Sequence, residues 1–188
     1  MKLWRKLFHL LGLGALFYFW MSKKQAITVM LILLALDLII EVFRTIHKEF
    51  QREFFARLSH LLRRSEKYRP LGITWFLLGM LANALLFEKN IAVLGVIMLT
   101  FGDPLAEIIG RKYGRHALIG KKTLEGFLAC FAGALASGLA FGCLAFGMPF
   151  IPVIAGALAA SITELLTFKG GDNLLIPIIS GLAMALLI

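Results

Sequence analysis

Carboxylates, basic side chains and glycines lie together in one stretch between two long apolar runs, residues 101–126. Asp103 and Glu107 lie four residues apart, so a helix would present both on one face. Such hard oxygen ligands, without matching His or Cys clusters, favour Mg²⁺ over zinc. The motif GKKT near the end of the stretch combines adjacent lysines with a helix N-terminus capped by Thr123, which is typical of an anion site. The combination predicts a nucleoside triphosphate held with Mg²⁺, although lysines that flank a membrane span have the same pattern.

The rest of the chain must supply the helices that position these groups. Of its 188 residues, 60% are hydrophobic, and the mean hydropathy is +0.85. Runs of roughly 20 apolar residues mark membrane-spanning helices. Candidate runs lie at 3–20, 25–43, 71–87, 91–109, 124–147, 150–167 and 173–188. The sequence therefore predicts an all-α polytopic membrane bundle of about seven helices, with a single catalytic domain over residues 1–188.

The distribution of basic residues predicts how the chain is oriented. With the N-terminus in the cytoplasm, all but Lys23, Lys24 and Lys89 of the 20 Lys and Arg residues fall in cytoplasmic segments. This asymmetry follows the positive-inside rule, so we expect the N-terminus and the site in the cytoplasm and the C-terminus outside. The net charge of +9 is then explained by membrane topology and by attraction to anionic lipids and nucleotide phosphates. Binding to nucleic acid is not needed to explain it.

Two further segments have a periodic pattern. Residues 44–69 place apolar side chains every three or four positions between charges. This pattern predicts an amphipathic helix at the cytoplasmic interface, or a long extension of the second span. The fifth span, 124–147, carries small residues four positions apart, which predicts a helix packed at the centre of the bundle.

The fourth apolar run predicts a helix that breaks inside the membrane. Asp103-Pro104 has the residue types of a helix start, with Asp at the N-cap and Pro at the first helical position. Only about a dozen apolar residues precede it, and they would rise about 18 Å, short of a hydrocarbon core of ~30 Å. Irregular backbone at that depth is tolerated only where it lines a cavity or is buried in protein. The break therefore predicts a site.

Five acidic residues are predicted at one level of the membrane. Measured from the outer ends of their spans, Asp37 and Asp103 lie about 20 Å deep and Glu164 about 22 Å deep. Glu41 and Glu107 follow Asp37 and Asp103 by four residues on the same helical faces. Because charges in hydrocarbon are costly, such acids usually mark ion, proton or substrate sites. The alternative is that each acid pairs with an arginine near the interface.

Two polar patches lie outside this cluster. Arg5 and His9 are four residues apart where the first span leaves the cytoplasm, and Asp172-Asn173 stand at the cytoplasmic start of the last span. A histidine near an interface is more often a surface group than a catalyst. Asp and Asn are also typical capping residues at a helix start.

In this order, the patches resemble the CTP-dependent polyprenol kinase family, which includes dolichol kinase, phytol kinase and CTP-dependent diacylglycerol kinase. The matching pieces are RKLFH (5–9), LLRRSEKYRPLG (61–72), FGDPLAEIIGRKYGRH (101–116), GKKTLEGFLACFAG (120–133) and ELLTFKGGDNLLIP (164–177). The resemblance implies transfer of the γ-phosphate of CTP to a membrane-embedded alcohol of the polyprenol type, with Mg²⁺ as the cofactor.

Residue chemistry and resemblance together assign the roles. Asp103, Lys122, Glu107 and Asp172 would be catalytic, and Asp103, with Glu107 or another buried acid, would hold Mg²⁺. The supporting residues would be Arg5, Lys6, His9, Asp37, Glu41 and Glu164. The nucleotide-binding residues would be Gly102, Gly110, Arg111, Gly114, Arg115, Lys121, Lys122, Thr123, Glu125, Gly126 and Asn173. The lipid alcohol would enter laterally from the inner leaflet. The carboxylate that accepts the proton of its hydroxyl group and the oligomeric state are left open.

Other functions fit parts of the pattern. The middle block is similar to phosphatidate cytidylyltransferases, but those enzymes continue with a longer C-terminal block ending in an Asp-Arg-x-Asp run. This chain has only LLTFKGGDNLLIP after Glu164. Clustered acids and a broken helix also build ion or proton transporters, which do not need the GKKT motif. A polyprenol-type kinase is therefore the predicted function. The alternatives are the cytidylyltransferase, a CTP-dependent diacylglycerol kinase and, without catalysis, a transporter.

Overall fold

A computed structural model describes residues 15–58, 62, 66–67, 69–167 and 171–188. Its helices, in chain order, are α1 (Ala15–Trp20), α2 (Lys23–Ile46), α3 (Lys48–Leu58), α4 (Gly72–Leu86), α5 (Lys89–Tyr113), α6 (Leu124–Ser137), α7 (Phe150–Leu166) and α8 (Asp172–Ala185). A π-helical segment, Gly138–Ala145, extends α6. A short antiparallel hairpin of β1 (Ala117–Ile119) and β2 (Lys122–Thr123) precedes α6. The predicted all-α membrane helix bundle is confirmed, with this hairpin as an unpredicted addition.

Among the described residues, three helices are long and apolar enough to cross a membrane: α2, α5 and the combined helix Leu124–Ala145. The apolar helices α4, α7 and α8 are shorter, at 15, 17 and 14 residues. At 1.5 Å per residue they rise roughly 21–26 Å. These helices are those of an integral membrane protein. The first predicted span, 3–20, lies mostly outside the described residues, as do Arg5, Lys6 and His9 within it.

Local signals set the start of α2, which has the highest mean hydropathy of the three candidate spans. Ser22 and Gln25 form a capping box, in which the Gln25 side chain accepts from the Ser22 backbone N–H at 2.9 Å. Beyond the kink at His47, α3 has no buried residues. The helix predicted over 44–69 is therefore a short extension of α2 followed by a separate exposed helix.

The prediction that the fifth span lies at the centre of the bundle is wrong. The central helix is α5: 72% of its most apolar segment is buried, against 33% for Leu124–Ala145. The small residues of α6 have another consequence, because a Cβ on Gly133 would lie 3.1 Å from the Phe101 carbonyl oxygen. A Cβ on Gly126 would lie equally close to the Ala106 carbonyl oxygen, at 3.1 Å. Small residues at this spacing report the close approach of α6 to α5, which says nothing about which helix is central.

The predicted break at Asp103-Pro104 is also wrong. The helix α5 runs without interruption over 25 residues, with Pro104 inside it. Proline removes one backbone N–H, a defect of ~3 kcal/mol in an isolated helix. Burial of α5 on both sides of Pro104 offsets this local cost, since packing routinely overrides a local helix-start signal. Asp103 is therefore a buried residue within a helix and caps nothing.

Candidate functional site

The packing of α5, α6 and α7 brings two of the predicted acids to one buried place. Asp103 on α5 is 5% exposed and Glu164 on α7 is 4% exposed. Both interact electrostatically with the Cys130 thiol of α6, which also hydrogen-bonds Ser161 of α7. The absence of a side chain at Gly102 permits this approach, because a Cβ there would lie 3.1 Å from Cys130 Sγ. Residues that are distant in sequence thus surround one buried thiol.

The hairpin brings a lysine to the same place. Ile119 pairs with Lys122 across a two-residue turn, and Gly120 has a φ of 58°, the left-handed conformation that such turns require. The Nζ of Lys122 forms an ion pair with Glu164, and the lysine side chain is 26% exposed. The GKKT motif is therefore a hairpin turn whose second lysine reaches a buried carboxylate.

The N-terminus of α6 is capped as predicted. The Thr123 Oγ1 accepts a hydrogen bond from the Gly126 backbone N–H at 3.2 Å. Glu125, in the first turn, has its Oε1 2.7 Å from the His116 Nδ1. This contact joins the start of β1 to the helix. Protein groups thus already contact the helix N-terminus that was predicted to bind phosphate.

Three of the predicted nucleotide-binding glycines surround the Thr123 side chain. A Cβ on Gly110, Gly114 or Gly126 would lie 3.2, 2.8 or 3.3 Å from the Thr123 Oγ1. Close packing therefore accounts for the small size of these residues. Their contact with a nucleotide stays a prediction.

Most of the predicted acids have a basic partner. Glu41 pairs with Arg44, Glu107 with Arg111 at 2.9 Å, and Glu164 with Lys122. Asp37 is 8% exposed, and its Oδ2 is buried with no hydrogen-bond partner in the part of the chain that the structure describes. The five acids make their contacts in different places: Glu41 accepts from the Leu71 backbone N–H before α4, whereas Asp103 and Glu164 both act electrostatically on Cys130.

The start of the last helix is tied to the start of α4. Asp172 is the first residue of α8 and is 8% exposed. The Asn173 Nδ2 donates to the Gly72 carbonyl oxygen at 3.0 Å. Neither residue acts as the N-cap, which is Gly171.

Asp103 and Glu107 offer the one or two carboxylate ligands with which Mg²⁺ is commonly bound. Among the described residues, no three His, Cys, Asp or Glu side chains lie close enough to hold a metal. Mg²⁺ commonly binds through one or two carboxylates, substrate phosphates and water, so it does not need a larger set. Asp103 is buried and shares one face of α5 with Glu107, which is compatible with such a site.

Sequence reasoning missed three residues with notable environments. Cys130 is influenced electrostatically by Asp103 and Glu164 and hydrogen-bonds Ser161, whereas Arg44 is buried elsewhere, on α2, at 3% exposed. The spacing of Ser161 and Glu164, three residues apart, could have placed Ser161 on the Glu164 face of α7. No local signal pointed to the other two.

Known relatives of the chain include lipid kinases. The chain is 26% identical to CTP-dependent diacylglycerol kinase 1 of Schizosaccharomyces pombe over 161 residues, which covers 78% of this chain and 74% of that protein. It is 33% identical to phytol kinase of Synechocystis over 97 residues, or 48% of this chain and 42% of that protein. These relatives support the CTP-dependent polyprenol kinase family. The resemblance drawn from the sequence motifs is thereby confirmed.

A relative without an assigned activity matches more of the chain. An uncharacterised protein of Rickettsia prowazekii is 26% identical over 93% of this chain and 88% of its own length. No family model and no solved structure matches the chain.

Proposed function

We propose that this chain transfers the γ-phosphate of CTP to the hydroxyl group of a lipid alcohol in the membrane. The observation that carries the proposal is the ion pair of Lys122 with the buried Glu164, together with a buried Asp103 that acts electrostatically on the same thiol, Cys130, as Glu164 does. Carboxylates buried among apolar helices usually mark a functional site. The family supplies the reaction class, because its members include CTP-dependent diacylglycerol kinases and a phytol kinase.

In the proposed mechanism, the protein positions the triphosphate and neutralises its charge, which is most of what phosphoryl transfer requires. Asp103, with Glu107 or Glu164, would hold Mg²⁺, which supplies positive charge to the phosphates when bound. Lys122 is oriented by Glu164 and would bind a phosphate oxygen, with Lys121 beside it in the hairpin turn. Asp103 is 5% exposed, and burial of this kind would limit the access of water to the transfer.

The proposed acceptor is a lipid alcohol, and two classes are to be distinguished. The relatives named diacylglycerol kinase match 78% of this chain, so diacylglycerol has the broader support. The predicted polyprenol-type alcohol is supported by the phytol kinase, which matches 48% of the chain at higher identity. Either lipid can present its hydroxyl from the inner leaflet.

The reaction is tested with purified protein in lipid vesicles, CTP labelled at the γ- or α-phosphate, and diacylglycerol, phytol or a polyprenol. We expect the γ-label in the lipid product, with CDP released. Incorporation of the α-label with release of pyrophosphate would instead establish the cytidylyltransferase. Failure of both labels to reach any lipid would contradict the proposal and favour the transporter.

The proposed orientation is tested by single cysteines in a background without the native ones. Leu118, which is 47% exposed in β1, should react with a membrane-impermeant thiol reagent only in inside-out vesicles. Lys24, exposed at the start of α2, should react only from the outside. The positive-inside rule requires these opposite results. Labelling of both cysteines from the same side would reject the orientation.

A further inference from the structure

Arg44 is a charged residue on the apolar helix α2, and it is 3% exposed. Its guanidinium donates to the Glu66 carbonyl oxygen at 2.8 Å and to the Arg69 carbonyl oxygen at 2.9 Å. It also pairs with Glu41 and lies 5.5 Å from the centre of the Phe55 ring of α3. Arg44 therefore fastens the segment that leads from α3 to α4 onto α2.

Two carboxylates extend these contacts to the first turn of α4. The Glu41 Oε1 accepts from the Leu71 backbone N–H at 2.8 Å, and the Glu66 Oε1 accepts from the Gly72 backbone N–H at 3.0 Å. The first N–H groups of a helix have no partner within the helix, so these acids satisfy them from outside. Arg44 holds one acid through its carboxylate and the other through its backbone.

The first turn of α4 in turn holds the start of α8. The Asn173 Nδ2 donates to the Gly72 carbonyl oxygen at 3.0 Å. Further along α4, a Cβ on Gly79 would lie 2.6 Å from the Asn173 carbonyl oxygen, so the two helices have no space between them. The position of Asp172 and Asn173 therefore depends on where α4 begins.

We propose that Arg44 is a positioning residue of the kinase, which acts through Glu41, Glu66 and the start of α4 to place Asp172 and Asn173 at the nucleotide site. The inference rests on the proposed function and on the role at CTP that the family resemblance implies for those two residues. Arg44 itself touches no substrate in this scheme. A displacement of about 1 Å far from the reacting atoms can lower a rate roughly 100-fold.

A double-mutant cycle tests the inference. Arg44→Ala and Asn173→Ala should each lower kcat/KM for CTP, the former by roughly 100-fold. Because Arg44 acts through Asn173, the double variant should lose little more than the larger single loss. Arg44→Lys keeps a charge that can pair with Glu41 and should recover part of the activity. The matched control is Arg57→Ala, which removes a charge whose side chain is 82% exposed, and should leave kcat/KM unchanged.

A second measurement does not depend on activity. Amide hydrogen exchange in residues 71–75 and 171–175 should be faster in Arg44→Ala than in wild type, and unchanged in Arg57→Ala. A general loss of folding would raise exchange throughout the bundle, and Arg44→Lys would then replace Arg44→Ala in both measurements.

Two results would overturn the inference. The first is a fold-loss of kcat/KM in the double variant that equals the product of the two single fold-losses, which is the behaviour of independent sites. The second is unchanged exchange at the start of α8. An inactive wild-type protein would contradict the proposed function instead, and the exchange measurement would still decide whether Arg44 controls the start of α8.

Discussion

Asp103→Asn should abolish lipid phosphorylation, with turnover reduced by several orders of magnitude. The substitution keeps the shape of the side chain and removes the charge that would hold Mg²⁺ against the triphosphate, on which phosphoryl transfer depends. Folding should survive, because Asp103 is 5% exposed within α5 and a neutral amide costs less to bury than a charge. Transfer from γ-labelled CTP and thermal unfolding, measured on the same preparation, separate the two effects.

The control is Glu53→Gln, which removes a carboxylate that is 71% exposed in a surface ion pair of α3. Such pairs contribute little, so neither activity nor stability should change. Glu107→Gln and Glu164→Gln then indicate the second ligand, since the true partner of Asp103 should show a loss that excess Mg²⁺ partly restores. A folded Asp103→Asn protein with normal turnover would remove Asp103 from the site.

Lys122→Met should impair both stability and CTP binding. It leaves Glu164 buried without its ion-pair partner, and an uncompensated buried charge is strongly destabilising. We expect a loss of up to about 3 kcal/mol, since Lys122 is itself partly exposed. The KM for CTP should rise at the same time, because a phosphate loses its cation.

The double variant Lys122→Met/Glu164→Gln separates these two roles. Without a charge at either position, the thermal unfolding temperature should recover, whereas the KM for CTP should stay high. Lys112→Met provides the control, because Lys112 is an exposed lysine nearby that stacks on Tyr113. Recovery of both stability and CTP affinity in the double variant would show that Lys122 serves only the ion pair.

Local patterns were sufficient for several elements of this protein. The second apolar run, 25–43, became α2 (Lys23–Ile46), because helix formation depends on hydrophobicity and caps that lie within the segment. The cap at Thr123 was predictable for the same reason, since its acceptor and its donor are three residues apart. The order of the motifs was also sufficient to indicate the resemblance to CTP-dependent lipid kinases, which the relatives support.

Local patterns failed where packing outweighed them. The Asp103-Pro104 pair has the residue types of a helix start, but burial along α5 keeps the helix continuous through it. The small residues of α6 were real packing signals, but they could not tell which helix lies at the centre.

The arrangement of the site depends on contacts that no spacing in the chain encodes. Lys122 meets Glu164 across 42 residues, and Asn173 meets Gly72 across 101. Arg44 looks in the sequence like one more cytoplasmic base of the positive-inside pattern, and only its carbonyl and carboxylate partners in the folded protein distinguish it. The physical reason is that a helix is stabilised within its own segment, whereas a buried charge is stabilised by whichever partner the packing of the other helices brings to it.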